Sequence, residues 1–406
     1  MKSAPADGEA TDQPSPTKNT ENTESTESTE NTKKRESTED ERPSAGAATV
    51  AACTVLFGTL VSLLGISWDM QWHNDVGPDT FFTLPHVMLY TGSAVVGVTS
   101  LTMVLLATGA QRAGRSVARY GGGTPVRVFG GTFQAPLGHL VAGTGGALFL
   151  LFGLLDLWWH SMYGFDAVLD SPPHVGLFLS ISFCMVGSLI VFAAAREQTW
   201  GKIGVVVSSL VLITFSPITI EAFSDLPLPV DPVIVGTVFF SVVLLITGVF
   251  VLRFRGAAFA IAGALGVMQL FLWWFSPWAA HVYADSVGLP LRDGLGGEAP
   301  SLPKRIPMLM LAVAAVTDGL LWLAHKYGWN ARLAPQFTGA GAGLVVGLSM
   351  LVQTNRLEEA QGALTASDLV FMGLFGVVTG ALAGFLAARF AVLLRDNSAV
   401  PDLART

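Results

Sequence analysis

Long apolar runs alternate with short polar stretches along most of this chain. The runs are residues 46–67, 85–109, 137–158, 174–195, 203–221, 232–252, 257–279, 306–325, 336–352 and 368–394. Each is about as long as the roughly 20 residues that carry a helix across a bilayer core of about 30 Å. A segment in lipid must satisfy its own backbone hydrogen bonds, which leaves helices or closed barrels, and barrel strands are only about half this length. The pattern therefore predicts an all-α fold, a polytopic transmembrane bundle of about ten helices. Glycines recur inside the runs, as in Gly339-Ala-Gly-Ala-Gly343 and between Gly373 and Gly384. That is the pattern of helices packed backbone to backbone in a membrane.

The polar stretches set an expected orientation, because basic residues mark the cytoplasmic side. Loops 69–84, 160–172 and 222–231 hold no Lys or Arg, whereas the alternate loops carry Arg112, Arg115, Arg119 and Arg127, then Arg196 and Lys202, Arg253 and Arg255, and Lys326 and Arg332. This predicts a multi-pass plasma-membrane protein with both termini cytoplasmic. Residues 1–44 are polar and repetitive, with ENTESTESTENTKKRESTEDERP at their centre. Such a segment cannot bury enough surface to order itself and reads as a disordered cytoplasmic tail. It lacks the apolar core of a cleavable signal, so the first span is expected to target the membrane.

Composition adds exclusions. Hydrophobic residues make up 51% and charged residues 13%, and a net charge of −7 gives no reason to expect a nucleic-acid partner. The lipid bilayer is the expected surrounding. Cys53 and Cys184 sit in separate spans with no CxxC spacing, which reads as helix packing.

Candidate chemistry lies in an internal repeat. WDMQWHNDVGPDTFFTLPH (68–86) and LDLWWHSMYGFDAVLDSPPH (155–174) align Asp69 with Asp156, Trp72 with Trp159, His73 with His160, Gly77 with Gly164 and Asp79 with Asp166; both close on Pro-His, at His86 and His174. Asp and His four apart share a helix face, and a His at a proline-started helix can meet them. Four of seven histidines are used this way. A single interfacial His beside tryptophans would read as part of an aromatic belt, and duplication alone can preserve a cap or turn. The recurring set, with no basic residue nearby in sequence, favours two clusters of two His and one carboxylate holding metal. Those donors suit iron(II), zinc or copper(II). No His-Glu-x-x-His is present, so hydrolysis has little support.

A second repeat pairs FSPITIEAFSD (215–225) with FSPWAAHVYAD (275–285) and adds Glu221, Asp225, His281 and Asp285 as weaker candidates on the same side. They read more readily as polar residues at helix ends meeting water. Asp318, inside the eighth run, is an ionisable group at membrane depth; His325 and His139 read as interface residues.

Asp69-x3-His73-x12-His86, with Asp79-Thr80 and Phe82-Thr83 between, resembles the Asp-x3-His-x12-His copper motif in the membrane C subunit of particulate methane and ammonia monooxygenases. Asp156-x3-His160-x13-His174, with Trp158, Asp166 and Pro172, is similar to that subunit's second motif, Asn-x3-His-x13-His, in the same order. The resemblance covers residues 45–195. It implies copper as the bound metal, an oxidation of a small apolar substrate, a lipid-soluble or protein reductant, and partner subunits or a homo-oligomer. Asp79 and Asp166 would then accept hydrogen bonds from ligand imidazoles. Four features depart from the family: Asp156 stands in place of Asn, Leu89 in place of a glutamate, the spans over residues 200–394 have no counterpart in that subunit, and no periplasmic cupredoxin-like domain is visible. The expected units are the tail 1–44, the four-helix metal half 45–195, a second repeated half 196–330 and a C-terminal helical hairpin with a short tail, 331–406. Two other readings stay open: a copper-handling membrane protein without catalysis, and a multi-span transporter suggested by the repeats.

Overall fold

The computed structural model describes residues 45–397 except 78, 118–119, 165–170, 222–223, 225, 228–229, 295–297 and 358–362. The tail read as disordered and the candidates Asp166 and Asp225 lie outside the described residues. The ten helices are α1 (Ala45–Asp75), α2 (Leu84–Arg112), α3 (Leu137–Tyr163), α4 (Pro172–Ala194), α5 (Thr199–Glu221), α6 (Pro232–Leu252), α7 (Ala257–Val287), α8 (Met310–Lys326), α9 (Ala334–Leu357) and α10 (Ala366–Asp396). All ten are long and apolar enough, α8 with its preceding turn, to cross a membrane. The protein is a multi-pass, all-α membrane protein.

Local chemistry fixes several starts. Pro85, Pro172 and Pro232 occupy first-turn positions, where a missing N–H costs nothing. Ser171 caps α4, Asp231 Oδ1 accepts from the Val233 N–H at 2.8 Å at the start of α6, and Thr365 with Asp368 forms a capping box on α10. The connection from α2 to α3 contains a feature the hydrophobic pattern did not announce, a short antiparallel hairpin of β1 (Pro125–Val128) and β2 (Phe133–Pro136) in which Val126 pairs with Ala135.

Burial is graded across the bundle. In the most apolar window of α5, 78% of residues are buried, against 22% for α3. Thus α5 is central, while α3 turns Leu150, Leu151, Leu154 and Trp158 outward, as suits a helix facing lipid. One apolar core runs from Ala52 of α1 to Leu394 of α10. The two glycine-rich runs meet each other: a Cβ at Gly343 would lie 2.7 Å from Gly380 Cα, and one at Gly376 would lie 2.6 Å from the Gly343 carbonyl oxygen. These positions admit only glycine, so α9 and α10 make the most extensive helix pairing.

Several helices, among them α1, α3 and α7, outrun the apolar stretches that suggested them. α1 continues to Asp75, α3 to Tyr163 and α7 to Val287. The polar residues expected in loops 69–84 and 160–172 therefore begin as final helical turns, and rigid helix carries the Asp-x3-His pairs.

Candidate metal centre

The first cluster is assembled from the end of α1, the following loop and the start of α2. Asp69 and His73 stand one helical turn apart, with His73 Nε2 3.8 Å from Asp69 Oδ2. Gly77 adopts a left-handed φ of +101° that turns the chain. Thr80 N–H then donates to Thr83 Oγ1 at 2.7 Å, and Pro85 starts α2 so that His86 sits on its first turn. His86 Nε2 lies 3.0 Å from Asp69 Oδ1. Asp79 Oδ2 is 3.2 Å from His73 Nε2 and 3.3 Å from His86 Nε2. Asp79 is therefore a full member of the cluster, closer in than the outer role the motif implies.

The second cluster repeats the plan on α3 and α4. Asp156 Oδ1 lies 3.5 Å from His160 Nε2 and 3.4 Å from His174 Nε2. Ser171 Oγ is 2.9 Å from His174 Nδ1 and also caps the helix that carries His174.

Ring orientation gives these contacts a sign. His86 Nδ1 is 3.0 Å from the Thr80 carbonyl, and His160 Nδ1 is 3.0 Å from the Gly164 carbonyl. A carbonyl only accepts, so each Nδ1 carries the proton, and in the neutral ring Nε2 presents a lone pair to a carboxylate oxygen. Two acceptors face each other. Asp69 Oδ1 and Asp156 Oδ1 are buried, and their contacts with Nε2 are favourable only where that nitrogen is protonated or a cation lies between them. Within each cluster the donor atoms of Asp69, His73, Asp79 and His86, or of Asp156, His160 and His174, lie within 4.8 Å of one another. Metal–ligand bonds of about 2.0–2.2 Å need only slight closure from that spread. An imidazole whose other nitrogen is held by a carbonyl or hydroxyl is the usual posture of a metal-binding His.

Both clusters face one cavity of about 360 Å³, which also touches Met70, Leu89, Tyr90 and Ile218. Phe81 and Tyr90 line this cavity and also a larger apolar groove of about 850 Å³ between α2 and α3. Tyr90 stacks on His86 at 6.0 Å between centroids and meets Phe81 at 5.0 Å and Phe149 at 6.0 Å. This aromatic group separates the polar cavity from the groove.

The weaker candidates divide. Glu221 reaches the shared cavity, but its carboxylate is ion-paired with Arg305. His281 Nε2 lies 2.9 Å from Asp75 Oδ2, and Gln71 Nε2 donates to Asp75 Oδ1 at 2.8 Å. Asp285 is exposed. The second repeat thus forms no third cluster among the described residues. Asp318 lies against the backbone N–H of Gly256 at the start of α7, a helix-capping position. His139 is buried, with 1% of its surface exposed, rather than at an interface, and His325 is exposed. Cys184 is buried with Sγ toward the Ala142 carbonyl at 3.6 Å, while Cys53 is exposed. Asp75, Gln71, Tyr90 and Arg305 were missed from sequence because each pairs with a partner far away along the chain.

No protein-family model, curated protein or solved structure matches this chain.

Proposed function

We propose that this protein binds copper at both clusters and acts as the membrane subunit of a monooxygenase-type enzyme oxidising a small apolar substrate. The observation that carries this reading is the convergence, twice around one cavity, of imidazole Nε2 atoms on buried carboxylate oxygens. A proton on one ring would relieve one such contact. A metal ion relieves all contacts in a cluster together. Copper is supported by the motif resemblance and by the two-imidazole, one-carboxylate donor set, which copper(II) accepts. The adjoining apolar groove supports a substrate that arrives from lipid rather than from water.

Bound copper would supply dioxygen activation, with one oxygen atom passing to the substrate, the other leaving as water, and a quinol or protein donor furnishing two electrons and two protons. The residues of this chain then have separate tasks. Asp69 and Asp156 balance the charge of the ion, Thr80, Gly164 and Ser171 hold the rings in position, and Phe81 and Tyr90 keep bulk solvent from the apolar side. The absence of Lys and Arg from loops 69–84, 160–172 and 222–231 supports an outer-face location with cytoplasmic termini. Other subunits or further copies of this chain are the proposed partners.

Oxygen uptake by the copper-loaded protein in detergent tests the reading, with a quinol donor and short alkanes as substrates, for wild type, His73→Ala and His160→Ala. Uptake that depends on substrate and collapses in at least one variant is expected. A copper-loaded wild type that consumes no oxygen with any donor or added membrane subunit would leave only copper binding or handling.

A further inference from the structure

The described residues of the connection from α7 to α8, 288–294 and 298–309, lie at the end of the bundle that carries both clusters and are pinned at many points. Arg292 N–H donates to the Asp75 carbonyl at 2.8 Å, and the Arg292 guanidinium fills the space a Cβ would take at Gly77. Ser301 N–H donates to Gln71 Oε1 at 2.9 Å. Gln269 Nε2 holds the Pro303 and Ile306 carbonyls at 3.1 and 3.0 Å, and Gln353 Nε2 holds those of Lys304 and Ile306, both at 2.8 Å. Leu302 and Ile306 are fully buried. This is a fixed strap. It brings Arg292, Lys304 and Arg305 to the shared cavity, at an end whose loops 69–84, 160–172 and 222–231 have no basic residue.

Charge around the cavity decides what the strap does. Asp69, Asp79, Asp156 and Glu221 face Arg292, Lys304 and Arg305, a net charge of one negative with neutral histidines. Two divalent ions would make it three positive, and excess charge in a partly buried cavity is costly unless paired. Arg305 uses one arm on Glu221, while its Nε–H is buried without an acceptor among the described residues. Lys304 makes no ion pair among them. The cavity volume falls at the small end of the roughly 300–1,000 Å³ typical of small-molecule sites.

We propose that Lys304 and Arg305 complete, with the metal clusters, a binding site for a small oxyanion, either a carboxylate or inorganic phosphate. One oxygen faces the metal side and another accepts from the Lys304 ammonium, beside the positive charge of the Arg305 guanidinium. The site rests on the metal reading above. It places a polar ligand at residues that do not line the apolar groove.

Full-length protein in detergent is loaded with copper(II), its copper content is measured, and acetate and phosphate are titrated separately while the copper electron paramagnetic resonance spectrum is followed. Wild type gives a saturable spectral change with at least one of the two, and the responding anion identifies the source. Lys304→Gln keeps its copper and weakens that response about tenfold, the loss of one charge-assisted hydrogen bond, while Lys304→Arg retains it. The double variant Glu221→Gln, Arg305→Gln removes the ion pair without stranding a charge and weakens it likewise. A copper-loaded wild type that responds to neither anion, or a Lys304→Gln protein that responds as wild type does, overturns the anion site and leaves the metal reading standing. Protein that takes up no copper overturns both, and this shows in the metal analysis before any anion is added.

Discussion

His86 Nε2 lies 3.0 Å from Asp69 Oδ1, although the two residues belong to different helices. The opposite side of the same ring is held by the Thr80 carbonyl. The pairing exists only because α1 extends past its apolar run and because Gly77 and Pro85 return the chain within eight residues, from Val76 to Thr83. Each cluster is thus completed within one helical hairpin, and the two hairpins share a cavity but no ligand.

That separation predicts stoichiometry. The pair His73→Ala and His86→Ala should remove about one metal equivalent and leave the other, as sites without shared ligands behave nearly additively. The pair His160→Ala and His174→Ala should do the converse. Metal analysis of the purified variants checks this, and loss of both equivalents from either pair would point to one joint site.

Ser171 offers a finer test because it touches no carboxylate of the cluster. Ser171→Ala removes both the hold on His174 Nδ1 and the cap of α4. Metal affinity at the second cluster should fall about 10- to 100-fold, with a stability loss of about 0.5–2 kcal/mol. A competition titration with a chelator measures the first effect and thermal unfolding in detergent the second. The first cluster should be unaffected.

Gly77→Ala should act on the first cluster alone. Its φ of +101° disfavours any side chain, and a methyl group there would push the Arg292 guanidinium aside. The strained backbone costs on the order of 1–3 kcal/mol, and Asp79, two residues on, shifts with the loop. Reduced metal occupancy limited to the first cluster is expected; full occupancy would show that the strap does not position this loop.

Orientation can be read with thiols. After replacing Cys53, Phe82→Cys and Phe129→Cys place exposed thiols at opposite ends of the bundle. In intact cells an impermeant thiol reagent should label the first and spare the second. The reverse pattern would place both clusters in the cytoplasm.

Much of the architecture was legible in sequence because bilayer thickness forces long apolar runs, and all ten runs became helices. The glycine runs were legible for the same reason, since close packing in lipid selects small residues, although their meeting with each other on α9 and α10 was not. The Asp-x3-His spacing reported a helix face correctly. Partnerships far apart along the chain could not be read. Glu221 and His281 occupy equivalent places in the second repeat, yet one pairs with Arg305 and the other with Asp75. Trp72 and Trp159 likewise align in the first repeat, yet Trp72 is buried against Tyr283 while Trp159 is only half-buried. The repeats copied local geometry, whereas the surroundings follow from α1 packing inward against α7 and α3 facing outward.

Copper at the two Asp-His-His clusters is open to direct test. The most direct measurement is metal analysis of the full-length protein purified in detergent, combined with electron paramagnetic resonance of the oxidised sample, for wild type and for Asp156→Asn. Up to two copper ions per chain are expected, with hyperfine structure from imidazole nitrogen and weaker copper(II) binding at the second cluster of Asp156→Asn, because a neutral amide replaces the anionic ligand. Wild-type protein without bound copper, or copper whose spectrum lacks nitrogen coupling and is unchanged when both histidine pairs are replaced, would contradict it.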